Sequence, residues 1–114
     1  MVQEIPEFLN GEDAFLEPVQ KALVDIFNRF DVDKDGVLNK TELDAFVQAT
    51  NGAPLDDTSL QEIKDNFDVD GQGRLTQRGF LEMYQLQTLS EPEETWKDLQ
   101  KHGFDEGFQL MKEE

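Results

Sequence analysis

Apolar residues recur at helical spacing in five stretches of the chain, separated by polar segments. Val19, Ala22, Leu23, Ile26, Phe27 and Phe30 share one face of a first helix. Pro18 suits its first turn, where a missing N–H costs nothing. After a polar segment at 31–40, Leu43, Phe46 and Val47 mark a second helix. Asn39, followed three residues later by Glu42, has the pattern of a capping box at its start. The NGAP turn at 51–54 ends that helix. Leu60, Ile63 and Phe67 define a third helix behind the cap candidates Asp57 and Thr58. Phe80, Met83 and Tyr84 define a fourth, for which Thr76 is a natural cap. A fifth is expected with Ser90 as its cap, Pro92 in the first turn and Glu93 three residues after the cap. It presents Trp96 and Leu99 on one face and stops near Gly103, which suits a left-handed position. Residues 1–15 read as a lead-in, and Phe104, Phe108 and Leu110 continue into a tail with no assigned structure. The expected fold class is all-α.

Two of the polar segments form a repeat. They start at Asp31 and Asp68, 37 residues apart; each begins Asp-Val-Asp after a Phe and carries Gly at its sixth position and Leu at its eighth. The first, DVDKDGVLNKTE at 31–42, fits the calcium-loop pattern D-x-[DN]-x-[DN]-G-x₅-E at every defined position. Ca²⁺ is a hard cation that takes six to eight oxygens at about 2.3–2.6 Å. Alternating Asp31, Asp33 and Asp35 allow a curled loop to aim three carboxylates inward, and Gly36 supplies the sharp turn. Val37 would give its backbone carbonyl, Asn39 a ligand often acting through water, and Glu42 two oxygens from the first turn of the next helix. The expected metal ligands are therefore Asp31, Asp33, Asp35, Val37, Asn39 and Glu42. Ca²⁺ is the expected ion, and Mg²⁺ can take the same type of loop. Leu38 is apolar because two such loops pair back to back as a short β-ribbon.

The second segment, DVDGQGRLTQRG at 68–79, keeps Asp68, Asp70, Gly73 and Leu75, while Gln72 and Thr76 offer neutral oxygens. Gly79 stands where the bidentate glutamate belongs, and Arg74 and Arg78 add positive charge. Fewer ligands and less negative charge both weaken a hard-cation site. The expectation is a loop that keeps its shape as structural partner of the first and has lost its metal.

Charge sharpens this picture. The 114 residues carry 26 acidic and 10 basic side chains, a net charge of −16. That field repels nucleic acid and anionic membrane surfaces and concentrates cations. There is no cysteine, so disulfides and thiolate metal sites are excluded. The start, MVQEIPEFLN, lacks the regions of a secretory signal, and no apolar run approaches the roughly 20 residues of a membrane span. An intracellular chain, cytoplasmic by default, is the expectation.

The paired loops resemble those of the EF-hand superfamily. Beyond them, LEPVQKALVDIF (16–27), ELDAF (42–46), NGAPL (51–55), GFL (79–81) and EETW…L…HGFDEGFQL (93–110) are similar to the first EF-hand module of the mitochondrial Rho GTPases, the Miro family. The resemblance implies an EF-hand pair at 16–88 (hands at 16–50 and 56–88), followed at 89–114 by a ligand-mimic helix and tail. It implies further that the helix lies in the pair's own hydrophobic groove, filled by Trp96 and Leu99. Helix-in-groove recognition uses such spacing. These residues hold no GxxxxGK[ST] phosphate loop and no membrane anchor, so the family's GTPase activity and mitochondrial placement are not expected of them.

Three functions compete: a calcium-responsive module with a protein partner, a calcium buffer or structural module that binds without opening, and an adaptor that uses calcium only for stability. An enzyme is the weakest reading. His102 is the one histidine, expected in a surface role at a helix end, where positive charge is favourable; no cysteine nucleophile or serine motif accompanies it. Met83 and Met111 read as packing residues.

Overall fold

Each of the five apolar stripes becomes a helix in the computed structural model, which describes residues 7–105 and 107–109. In chain order these are α1 (Glu17–Phe30), β1 (Val37–Leu38), α2 (Lys40–Asn51), α3 (Asp57–Asn66), β2 (Leu75–Thr76), α4 (Gln77–Ser90) and α5 (Pro92–Lys101). The two strands pair antiparallel in the register Val37 with Thr76 and Leu38 with Leu75. The two eighth-position leucines thus meet across the ribbon, both nearly fully buried. Leu110 and Met111 lie outside the described residues.

Local chemistry sets the helix ends. Asn39 caps α2 in a complete capping box: its side chain accepts the Glu42 N–H and the Glu42 side chain accepts the Asn39 N–H. Gly52, at φ +76°, closes the same helix in the left-handed conformation that spares glycine the Cβ clash. Thr76 caps α4 by accepting the Gly79 N–H. Two expected caps move. Asp56, not Asp57 or Thr58, caps α3 through the Ser59 N–H. Ser90 is the last residue of α4, and Glu91 sits at the N-cap of α5 with no side-chain cap bond. The apolar stripe of α4 runs on through Thr88, whose hydroxyl is buried and bonded to the Tyr84 carbonyl, so the helix outlasts the serine. Pro92 then opens α5 directly.

One core joins these elements. Val19, Leu23, Ile26 and Phe27 of α1 meet Leu43 and Phe46 of α2, Phe80 and Tyr84 of α4 and Trp96 and Leu99 of α5. Phe46 lies at its centre, with ring contacts to Phe30, Phe80, Tyr84 and His102. Helix α3 is the least embedded: Leu60, Ile63 and Phe67 are only half-buried against the core. Helix α5 packs on α4 and α2. Burial of Leu99 to complete exclusion contributes about 1.5–3 kcal/mol, so α5 belongs energetically to the same core.

Candidate metal centre

The loop between α1 and α2 gathers its acidic residues to one point. Asp31 is the C-cap of α1, Gly36 turns the chain at φ +86°, and the ribbon residues Val37 and Leu38 anchor the loop to the core. Oxygens of Asp31, Asp33, Asp35 and Glu42 all lie within 4.8 Å of one another. Two oxygens bound to one ion at about 2.4 Å cannot be more than about 4.8 Å apart, so the group already meets the geometric limit for a common Ca²⁺. Among the described residues this is the one such cluster of acidic, His or Cys side chains.

The carboxylates are oriented by backbone donors. Asp31 Oδ2 accepts the Gly36 N–H at 2.9 Å and Oδ1 the Asp35 N–H at 3.2 Å. Glu42 Oε1 accepts the Asn39 N–H at 3.0 Å, and its Oε2 accepts the Val32 N–H at 2.9 Å. Glu42 therefore reaches from α2 back to the loop entrance, and it is buried, as is Asp31. Asp33 and Asp35 face solvent. Of the other expected ligands, Val37 donates its N–H to Asp35 Oδ1 at 3.2 Å, and Asn39 uses its Oδ1 as the cap acceptor.

Crowded negative charge is visible in the acidities. Asp33 is raised above the usual carboxylate value by desolvation, by its contact with Asp35 and by the charges of Asp35 and Glu42. Asp35 is lowered, chiefly by the Val37 N–H, with help from Asp33, Asp31 and the Arg74 guanidinium. An all-oxygen, multiply anionic donor set suits a hard divalent cation.

The second loop is arranged differently. It folds on itself as a narrow turn, with a bridge between Val69 and Leu75 and with the Asp70 N–H donating to the Arg74 carbonyl at 2.9 Å. Asp68 Oδ2 accepts the Thr76 hydroxyl at 2.6 Å. Asp70 Oδ1 accepts the N–H groups of Gln72 and Arg74, and its Oδ2 takes both Nε and Nη2 of Arg74 at 2.8 Å. At Gly79 a Cβ would collide with the Asp68 carbonyl oxygen and with the Leu75 side chain. The backbone has closed over the position where a glutamate would stand.

Around α5 the structure corrects one expectation and adds polar contacts. His102 is buried, not exposed: its ring stacks on Phe46 at 5.7 Å and its Nε2 lies 2.7 Å from the Thr50 hydroxyl. Because that hydroxyl donates to the Phe46 carbonyl, Nε2 carries the proton and Nδ1 faces Arg29 as acceptor. Burial and the charges of Arg29 and Lys101 lower the imidazole from 6.5 to about 4. The helix-end position in sequence suggested a welcome positive charge; the aromatic environment overrides it. Lys101 Nζ donates to the Thr50 carbonyl at 2.6 Å. Tyr84 donates its hydroxyl to Asp98 at 2.9 Å, and Thr88 and Thr95 share a hydrogen bond at 2.8 Å. Neither the reach of Arg74 nor the polar partners of α5 carry a motif in the sequence.

Comparison with known proteins agrees with the architecture. A family profile described as an EF-hand domain pair matches residues 20–85. The chain is 30% identical over 104 residues to EF-hand calcium-binding domain-containing protein 7 of Xenopus laevis, covering 88% of this chain and 17% of that protein. It is 36% identical over 109 residues to mitochondrial Rho GTPase 2 of Arabidopsis thaliana (90% and 17%), and 34% identical over 101 residues to mitochondrial Rho GTPase 1 of Caenorhabditis briggsae (82% and 16%). The chain thus spans less than a fifth of the length of these relatives.

Proposed function

The chain belongs to the EF-hand domain-pair family, and from that premise we propose that it is a calcium-binding regulatory or interaction module with one metal site, in the first loop. The convergence of Asp31, Asp33, Asp35 and Glu42 within 4.8 Å carries this reading. Bound there, a divalent ion would supply two positive charges against the negative charge gathered on the four carboxylates. Those side chains provide oxygen ligands, and Glu42 links the loop to α2. Mg²⁺ fits the same oxygen chemistry with fewer protein ligands.

The second loop acts as scaffold. Its two carboxylates are taken by Thr76 and Arg74, and it supplies Leu75 and Thr76 to the ribbon that holds the first loop in register. Helix α5 fills the apolar groove of the pair with Trp96 and Leu99, leaving a cavity of about 270 Å³ bordered by Val47, Leu55, Ile63 and Met83. A protein partner of the module meets a groove already partly occupied.

A second reading, that calcium binds without opening the pair, is favoured by the polar seat of α5: Asp98 on Tyr84, Thr95 on Thr88, His102 on Thr50. Titrating Ca²⁺ while recording Trp96 emission, with Glu42→Gln as control, tests the site. Amide spectra of the free and loaded protein separate the two readings: shifts along α5 favour release, and shifts confined to the loops favour a fixed helix.

A further inference from the structure

We propose that Arg74, a residue of the second loop, sets the cation affinity of the first: its guanidinium stands as a resident positive charge between the loops and weakens divalent binding at Asp35. This rests on the one-site reading above and extends it to a residue outside the first loop.

The geometry behind this is a fork with two faces. Nε and Nη2 of Arg74 are bound to Asp70 Oδ2 at 2.8 Å, and its Nη1 points across the ribbon to Asp35 Oδ2 at 3.6 Å. The position is enforced from three sides. Arg74 directly precedes Leu75, which is fixed by its pairing with Leu38. Its own N–H is held by Asp70 Oδ1, and its carbonyl accepts the Asp70 N–H. With its backbone clamped and its Nε engaged, the side chain has little freedom to leave Asp35. In the second loop, the guanidinium neutralises the carboxylate that would otherwise call for a metal ion. In the first, it lies 3.6 Å from a carboxylate oxygen that would serve as a ligand to the ion.

Like charges at that separation oppose each other. Arg74 and Asp35 are 35% and 34% exposed, so solvent and salt screen the interaction substantially. A unit charge at such a distance from a divalent ion changes affinity roughly three- to tenfold at low ionic strength. The other charged groups facing Asp35 are the carboxylates of Asp31, Asp33 and Glu42, all attractive to the ion. Among the described residues, Arg74 is the cation in ion-pair contact with this cluster.

The test is a calorimetric titration of the 114-residue chain with CaCl₂ at low salt and again at about 0.5 M KCl, where the screening length falls well below 10 Å. The variants are Arg74→Gln and Arg74→Met, which remove the charge, Arg74→Lys, which keeps it, and Glu42→Gln as the site control. The expected result is Kd lowered roughly three- to tenfold in both neutral variants at low salt, a gap that narrows at high salt, and Arg74→Lys within about twofold of the parent. Unchanged or weaker binding in the neutral variants overturns the inference. So does a gap indifferent to salt, or a lysine variant that behaves like glutamine. One Ca²⁺ that is lost in Glu42→Gln but indifferent to Arg74 leaves the site standing and removes this role; absence of binding in every form removes both.

Discussion

The Tyr84 hydroxyl on α4 donates to the Asp98 carboxylate on α5 at 2.9 Å, across the seam where the fifth helix joins the EF-hand pair. Both groups are buried, and burial raises the acid pKa of each. A buried carboxylate deprived of its donor costs more than the hydrogen bond itself contributed. Tyr84→Phe leaves Asp98 with only the Gln87 amide at 3.2 Å. The expected outcome is a loss of about 1–3 kcal/mol in urea unfolding, with far-UV dichroism unchanged.

His102 predicts a pH dependence of defined sign. The folded protein holds the imidazole neutral to about pH 4, while the unfolded chain protonates near 6.5. Between those values the unfolded state binds more protons, so stability falls as pH is lowered, and this contribution is constant again below about 4. As the sole histidine, it gives one ring resonance to follow by NMR. Its titration midpoint is expected near 4, and His102→Gln flattens the difference in stability between pH 6.5 and 4.

Restoring the glutamate that the second loop lacks is expected to fail. A Cβ at Gly79 meets the Asp68 carbonyl and the Leu75 side chain, so any side chain must push apart the turn that pairs with β1. Gly79→Glu is predicted to destabilise by about 1–3 kcal/mol, the scale of an overpacked site, with no second Ca²⁺ equivalent in a titration. Gly79→Ala separates the steric cost from the carboxylate: it is expected to destabilise by a comparable amount.

Much of this was legible in the chain. The five helices, the Asn39–Glu42 capping box and the pairing of Leu38 with Leu75 follow from apolar spacing and loop register, which are local properties. The four carboxylates of the first loop converge as their spacing implies, because a curled loop with one left-handed glycine has few ways to place them. The cap signal of Ser90 is overridden by continued packing of α4, which only tertiary contacts decide, so α5 starts one residue later. His102 was illegible for the same reason: its environment comes from Thr50, Phe46 and Arg29, which lie far away in sequence. The Arg74 to Asp35 contact spans 39 positions and depends on the ribbon bringing two loops side by side.

The Glu42 side chain concentrates the one-site reading in a single residue. Its Oε1 and Oε2 bind the backbone at both ends of the first loop, and it would give the ion its only ligand from α2 beyond the loop's own aspartates. Calorimetric titration of the protein with Ca²⁺, beside Glu42→Gln, measures stoichiometry and site together. The predicted result is one equivalent bound by the parent, with affinity lowered at least about tenfold by Glu42→Gln. Two equivalents, or one that survives Glu42→Gln unchanged, would contradict a single metal site in the first loop.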